Sequence, residues 1–392
     1  MSESDQAPQA PRTELDDLRA EIDDINDQML ALFVRRMRVA AKIGGYKARV
    51  GRRVTDSARE RRILAEVEAK SPDDLTGYAT VLFSMLMEMS RSYQEQRMHE
   101  DSPLRASITR ALAEAPAYFP PSATVAVAGT EGAYAQLACD RVFKHPDITY
   151  CPSFEGVFDA VERGACPFGI VPLENSTAGS VNRVYDLMMQ HDFHIVRTVR
   201  VKVDHCLLAR PGTALGDVRV VYSHPQAIAQ CSLFLDAHPE IRVVPVENTA
   251  TAARRVAEGD EPGSAAIASR SCSALYGLDV LGSAIQNEGA NFTRFACITR
   301  DLTIYPGADR ASLSLVTPHR PGALCRVLSR FYAMDVNVRK LESCPLSGRD
   351  FEFMFYFDIE IPAADPHFAD TLVAIEALSE EFRYLGSYSE VS

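Results

Sequence analysis

Residues 124–143 read TVAVAGTEGAYAQLACDRVF, and here the grammar of the chain changes. TVAVAG is short, β-rich and closed by glycine, which predicts a strand. GTEGAY supplies a turn, and AQLACDRVF returns to helical spacing. A strand, a glycine turn and a helix in that order begin an α/β unit. From there short β-branched segments alternate with helices to about residue 300. The apolar segments VRVVYS (218–223) and SAAIAS (264–269) fall in the middle of this stretch and predict a second sub-sheet, hence two lobes.

Upstream, residues 13 to about 98 show no strand periodicity. Leu15, Leu18, Ile22, Ile25, Met29, Leu32, Val39, Ile43 and Tyr46 recur in alternating steps of three and four, a heptad seam on one long helix. Arg36 takes one seam position, and Gly44 and Gly45 weaken the last turns by about 1 kcal/mol each. A turn at residues 50–53 precedes a second helix from near Asp56. Ser71-Pro72-Asp73-Asp74 reads as the cap and acidic first turn of a third. Downstream, SLSLVTP (312–318), GALCRVLSRFYA (322–333), VNVRKLESCP (336–345), DFEFMFYFDIE (350–360), ADTLVAIEAL (369–378) and RYLGSYS (383–389) spell βαββαβ, the ferredoxin-like order. The fold expected is therefore multidomain: all-α over 12–100, a linker over 101–122 holding a short possible helix and then Pro116, Pro120 and Pro121, two-lobed α/β over 123–303, and α+β over 310–392.

Composition narrows the function. The first twelve residues, MSESDQAPQAPR, lack an apolar core and read as a frayed tail without a signal peptide. Apolar runs such as 85–87 and 353–357 are too short to span a bilayer. Nine cysteines, an odd number with no CxxC, point to reduced thiols in the cytoplasm and against a disulfide frame or zinc knuckle. A net charge of −12 argues against nucleic acid and anionic membrane as partners. It also means that an anionic substrate has to be captured by local cations. The GTEG turn suggests an anion at a helix N-terminus, but neither GxGxxG nor GxxxxGK[ST] occurs, which argues against a dinucleotide-linked oxidoreductase. His191 and His194 have no third ligand in sequence and read as structural, so no metal and no cofactor is expected.

A guanidinium on an apolar seam needs an anion, so Arg36 is the most informative residue of the helical part. Asp56, Arg59 and Glu60 share one face of the second helix, and Ser90 and Gln94 one face of the third. Ser57-x-x-Glu60 also fits a capping box, which would make Glu60 structural. Together with Lys47, these residues resemble the all-helical class of chorismate mutases over residues 15–97. The resemblance implies a substrate site of Arg19, Arg36, Lys47, Asp56, Arg59, Glu60, Ser90 and Gln94. Conversion of chorismate to prephenate is pericyclic, needing only a folded conformer and stabilisation of charge on the breaking ether oxygen. Two arginines suit its carboxylates, Lys47 and Gln94 its ether oxygen, and Asp56 and Glu60 its ring hydroxyl. Were Glu60 to face the ether oxygen, it would have to be protonated or act through water. Arg19 and Arg36 are seventeen positions apart, about 25 Å along one helix. One small substrate cannot touch both, which implies a homodimer or higher homo-oligomer whose Arg19 reaches the partner's site.

The segments IVPLENSTAGSVN (170–182), DHCLL (204–208), VYSHPQAIAQC (221–231) and NFTRF (291–295) resemble prephenate dehydratases over 123–303. That resemblance implies Thr293 as the catalytic donor and Asn175, Ser176, Thr177, Ser223, His224 and Gln230 as pocket residues. Arg294 is either a carboxylate anchor or part of a structural ion pair. Ala133 and Ala135 stand where family members carry hydroxyl residues, so no contact is assigned to them. The βαββαβ tail resembles the ACT regulatory domain, with Gly322-Ala323-Leu324-Cys325, Asn337 and Glu342-Ser343-Cys344-Pro345 at its effector motifs. Cysteine replaces the usual arginine at 344. The expectation is a bifunctional enzyme with phenylalanine as its allosteric effector. The alternative is a non-catalytic amino-acid sensor.

Overall fold

The computed structural model describes residues 13–50, 56–98, 102–346 and 353–391. The N-terminal tail and the turn expected at 50–53 fall largely outside these residues. The chain divides into two units, Met1–Pro103 and Leu104–Ser392.

The first unit is helical: α1 (Glu14–Arg49), α2 (Ser57–Lys70) and α3 (Thr76–Met98). Thr13 and Asp16 bond each other's backbone N–H, a capping box that starts α1. Glu14, Asp16 and Asp17 in its first turn and Lys47 and Arg49 in its last complement the helix dipole. The face of α1 turned inward is not the heptad seam. Ala40 and Gly44 are buried, with Phe33, Arg36, Met37 and Lys47 partly so, while Leu18, Ile22 and Leu32 are 53%, 57% and 64% exposed. Gly44 allows the approach of α3: a Cβ there would sit 2.8 Å from Gln94 Cγ. Two expected caps are corrected. Asp56, not Ser57, caps α2, accepting from Arg59 N at 3.1 Å. Ser71 ends α2 by donating to the Val67 carbonyl (2.7 Å), so α3 starts at Thr76 and not at Pro72.

The second unit opens with α4 (Pro103–Ala113). It continues with β1 (Ser122–Ala128), α5 (Tyr134–Val142), β2 (His145–Cys151), α6 (Phe154–Glu162), β3 (Phe168–Asn175), β4 (Gly179–Ser180), α7 (Asn182–Gln190) and β5 (His194–Lys202). The second lobe holds β6 (His205–Ala209), β7 (Val220–Ser223), α8 (Pro225–Gln230), α9 (Ser232–Asp236), β8 (Arg242–Pro245), α10 (Thr249–Glu258), β9 (Ser264–Ser269), α11 (Ser271–Tyr276) and β10 (Asp279–Gly282). The chain returns to the first lobe through β11 (Phe292–Thr299). It ends with β12 (Arg310–Val316), α12 (Ala323–Ala333), β13 (Asn337–Pro345), β14 (Phe353–Glu360), α13 (Phe368–Glu376) and β15 (Glu381–Val391).

The sub-sheet expected from 218–223 and 264–269 is present as β10-β6-β9-β7-β8. The main sheet runs β13-β14-β12-β15-β5-β11-β3-β1-β2, with β4 beside β3. The C-terminal βαββαβ is thus continuous with the first lobe. Ser389–Val391 of β15 pair in parallel with residues 197–199 of β5. Gly386 permits this junction: its φ is +121°, and a Cβ would lie 2.4 Å from the Ile195 carbonyl oxygen.

Residues 101–122, expected as a linker, hold α4 with Ile108 fully buried among Val327, Phe331 and Leu372. Leu104, Ile108 and Ala111 recur in steps of four and three and seat this short helix on the core. Phe119 from the same stretch packs on Phe143, Phe168 and Tyr305 and lies under the Arg197 guanidinium at 4.3 Å.

Candidate active sites

In the helical unit a cavity of about 780 Å³ gathers Arg36 and Lys47 from α1, Asp56, Arg59 and Glu60 around the start of α2, and Ser90 and Gln94 from α3. Seven of the eight expected residues meet there. The eighth, Arg19, is exposed and lies outside this cavity, 3.8 Å from Asp16. Arg36 donates to the Leu86 carbonyl (2.6 Å) and to Ser90 Oγ, which fixes its guanidinium over the cavity. Burial pushes Arg36 below its ordinary pKa, though an arginine keeps its charge at neutral pH. Gln94 donates one amide N–H to the Ser90 carbonyl (3.0 Å), leaving the other for a ligand. Arg35 and Arg91 also line the cavity, so five cationic side chains face two carboxylates in a chain of net charge −12. This local excess of positive charge is what an acidic chain would need in order to capture an anionic ligand.

In the second unit a cleft of about 280 Å³ lies between the lobes, lined by Thr177, Gln230, Gln286, Asn287 and Asn291 among others. Beside the cleft, strand register sets Thr293 on β11 directly opposite Asn175 on β3. Asn175 Nδ2 donates to Thr293 Oγ1 (3.0 Å) and to Asn291 Oδ1 (2.7 Å). Its Oδ1 accepts from Thr177 N, Thr177 Oγ1 and Ala178 N. The Asn175 amide is thus spent on protein partners and positions Thr293. Since Thr293 Oγ1 is the acceptor, its own proton remains available. Gln230 Nε2 donates to Thr177 Oγ1 (3.0 Å), while Gln230 Oε1 accepts from Asn291 Nδ2 (3.1 Å) and from His205 Nε2 (3.0 Å). Burial lowers the His205 pKa, and an imidazole that donates from Nε2 while neutral holds its single proton there.

A third hollow, about 280 Å³, opens at the start of α12, lined by residues 317–320, Gly322, Ala323, Leu324, Cys325, Phe353 and Phe355. Gly322 is the N-cap at φ +80°.

Comparison with known proteins assigns two stretches of the chain to families. Residues 18–95 match the family described as chorismate mutase type II, and residues 125–303 match prephenate dehydratase. The chain is 31% identical over 379 residues to the bifunctional chorismate mutase/prephenate dehydratase of Escherichia coli K12, covering 95% of each. It belongs to the bifunctional chorismate mutase/prephenate dehydratase family. Two solved structures resemble it across 68% of its length at 30% identity. One is a prephenate dehydratase from Arthrobacter aurescens in complex with L-Phe (89% of that chain, TM-score 0.62). The other is GqqA, described as a quorum-quenching acylase (97% of that chain, TM-score 0.61).

Within this bifunctional family the structure sorts the residues expected for the dehydratase site. Thr177 and Gln230 line the cleft. Ser176 bonds the backbone of Ala290 and Phe292 instead. Ser223 is fully buried and donates to the Ile267 carbonyl (2.7 Å), and His224 caps α8 through Gln226 N (3.2 Å); neither lines the cleft. Of the two readings of Arg294, the ion pair is the one observed. Its guanidinium is 5% exposed, held by Asp358 and by Glu174 at 2.9 Å. The GTEG turn is a lobe contact and not an anion cradle, since Gly132 N donates to Gln136 Oε1 and the Glu131 carbonyl accepts from Tyr276. Ala133 and Ala135 are buried in the cores, which leaves no place for hydroxyls.

At the C-terminal end Gly322, Ala323 and Leu324 line the hollow. Asn337 bonds Glu360 (2.6 Å), Glu342 accepts from Ser180 (2.7 Å) and Ser343 is exposed, all outside it. Cys344 packs half-buried against the core of Val184 and Tyr185, so its missing arginine does not remove a cation from this hollow. Residues that sequence reasoning missed are Arg91, His205 and Asn291. The last two stood inside quoted motifs, DHCLL and NFTRF. Among the described residues, a carboxylate–histidine group forms at Asp159, Glu162 and His191, where His191 bonds Glu162 (2.8 Å) and stacks on Phe158.

Proposed function

We propose that the helical unit rearranges chorismate to prephenate in the seven-residue cavity and that the cleft around Thr293 converts prephenate to phenylpyruvate. The convergence of Arg36, Lys47, Asp56, Arg59, Glu60, Ser90 and Gln94 on one hollow carries the first assignment. Arg36 and Arg59 take substrate carboxylates as bidentate clamps. Lys47 and the free N–H of Gln94 stabilise the charge that grows on the ether oxygen as the C–O bond breaks. No proton transfer is needed, and the enzyme's contribution is the folded conformer and the field.

In the cleft, decarboxylation sends an electron pair into the ring and expels the hydroxyl from the opposite carbon. The Thr293 proton, freed by Asn175 donating to its oxygen, assists that departure, giving carbon dioxide, water and the aromatic ring. Purified protein supplied with chorismate should consume it and form phenylpyruvate. Binding of either compound without turnover would return the reading to a sensor.

Arg19, remote from the cavity in its own chain, is assigned to the site of a second copy. The exposed apolar stripe of Leu18, Ile22, Met29 and Leu32 supports that dimer. Mixing the Arg19→Ala and Lys47→Ala variants, each inactive as a mutase, should restore part of the activity, because a hybrid dimer regains one intact site. Absence of rescue after exchange verified by mass would sink the shared site.

The C-terminal βαββαβ is read as an ACT domain that binds phenylalanine at the residue 317–325 hollow, and the L-Phe complex of the Arthrobacter relative supports this. Phenylalanine is expected to inhibit the dehydratase, by favouring one arrangement of the chain over another. Calorimetry and a dehydratase titration test it. Neither heat nor inhibition up to roughly millimolar ligand would leave the hollow without an effector role. The enzyme is placed in the cytoplasm, in keeping with nine free cysteines of which seven are buried. Among the described residues, no helix is long and apolar enough to cross a membrane.

A further inference from the structure

The mutase cavity contains an arginine that the expected site does not use. Arg91, on α3 one residue past Ser90, donates from Nη1 to Glu60 Oε1 across to α2 and from Nη2 to Glu88 Oε2 on its own helix. Its side chain is 16% exposed and Glu60's 28%, so the pair is largely out of water while still lining the hollow. Among the described residues Glu60 Oε2 receives no hydrogen bond, which leaves it to face a ligand.

We propose that Arg91 is a positioning residue for the mutase reaction, holding Glu60 as a fixed carboxylate that accepts the ring hydroxyl of the substrate through Oε2. Held at Oε1 by Arg91, the Glu60 carboxylate presents Oε2 as an acceptor for the ring hydroxyl, and the breaking ether oxygen is left to Lys47 and Gln94.

The other charged groups around Glu60 are Arg35, Arg36 and Lys47 on α1, Asp56 and Arg59 at the start of α2, and Glu88 on α3. With Arg91 neutralised, Glu60 loses the contact that fixes Oε1, and its carboxylate no longer presents Oε2 in one orientation.

This inference rests on the mutase reading, so wild-type mutase turnover is measured first, and its absence would defeat that reading rather than this one. With turnover established, kcat and KM are measured at one pH in wild type, Arg91→Met, Arg91→Gln, Arg91→Lys, Glu60→Gln and Arg91→Met/Glu60→Gln. The two neutral variants should lose roughly tenfold in kcat with KM little changed, and Arg91→Lys should recover most of it. In the Glu60→Gln background the loss of Arg91 should cost little more, because the carboxylate that it holds is already gone. A folded neutral variant with the wild-type kcat, or one whose loss is as large without Glu60 as with it, overturns the proposal. Loss of helicity in both neutral variants would make Arg91 a tether between α2 and α3, and would overturn it too.

Discussion

Replacing Thr293 with alanine is expected to lower dehydratase kcat by roughly 10²-fold or more, the usual range for removing a general acid. That corresponds to about 2.7 kcal/mol of barrier. The expectation follows from a direction of hydrogen bonding: Asn175 Nδ2 donates to Thr293 Oγ1, so the threonine's own proton is not used in that bond. Serine keeps the hydroxyl in the same strand register opposite Asn175 and should retain a good part of the rate. Mutase turnover in the same preparations should be unchanged. Single-turnover measurement with prephenate isolates the chemical step from product release. An alanine variant with the wild-type rate in that assay removes Thr293 from the mechanism and leaves Asn175 and Gln230 as a purely structural network.

The second large effect is expected at the other end of the chain. Arg36→Ala should abolish detectable mutase activity, a loss of at least 10²–10³-fold on the scale of deleting one fixed donor from a transition-state site. The same variant should turn over supplied prephenate at close to the wild-type rate. Arg36 is held by the Leu86 carbonyl and Ser90 Oγ, so its fork is aimed before substrate arrives. Lysine in its place keeps the charge but not the planar fork, and should recover only a small part of the loss. Circular dichroism controls for collapse of the α1–α3 contact. Equal loss of both activities in a folded variant would mean that the two reactions do not occupy separate sites.

The parts of the molecule that were legible in its sequence are those with local causes. A three-four apolar rhythm gave the long helix, and β-branched runs closed by glycine gave the strands of both lobes. The residues of the mutase site could be named because, taken together on three helices, they resemble a known family. What could not be read depends on register between distant segments. Arg91 is thirty-one positions from Glu60, and their contact exists only once α2 lies against α3. Arg294 looked available until β14 brought Asp358 beside it. Ser223 and His224 have the composition of a binding loop, but a buried carbonyl and a helix start claim their side chains. Ser71 could cap either the helix before it or the one after it, and both its N–H and its hydroxyl donate to the Val67 carbonyl, which decides for the former. The merger of the C-terminal strands with the main sheet turns on three residues at the end of β15 and on the missing Cβ of Gly386.

The central claim is that one chain carries two consecutive reactions in two independent sites. It is tested most directly by giving chorismate to wild type, Arg36→Ala, Thr293→Ala and an equimolar mixture of the two variants, and following chorismate, prephenate and phenylpyruvate together. Wild type should convert chorismate to phenylpyruvate, Arg36→Ala should leave chorismate untouched, and Thr293→Ala should stop at accumulated prephenate. The mixture should restore phenylpyruvate, as prephenate made by one variant is consumed by the other. Phenylpyruvate from Thr293→Ala alone at the wild-type rate, or none from the mixture while each variant retains its remaining activity, would contradict the assignment.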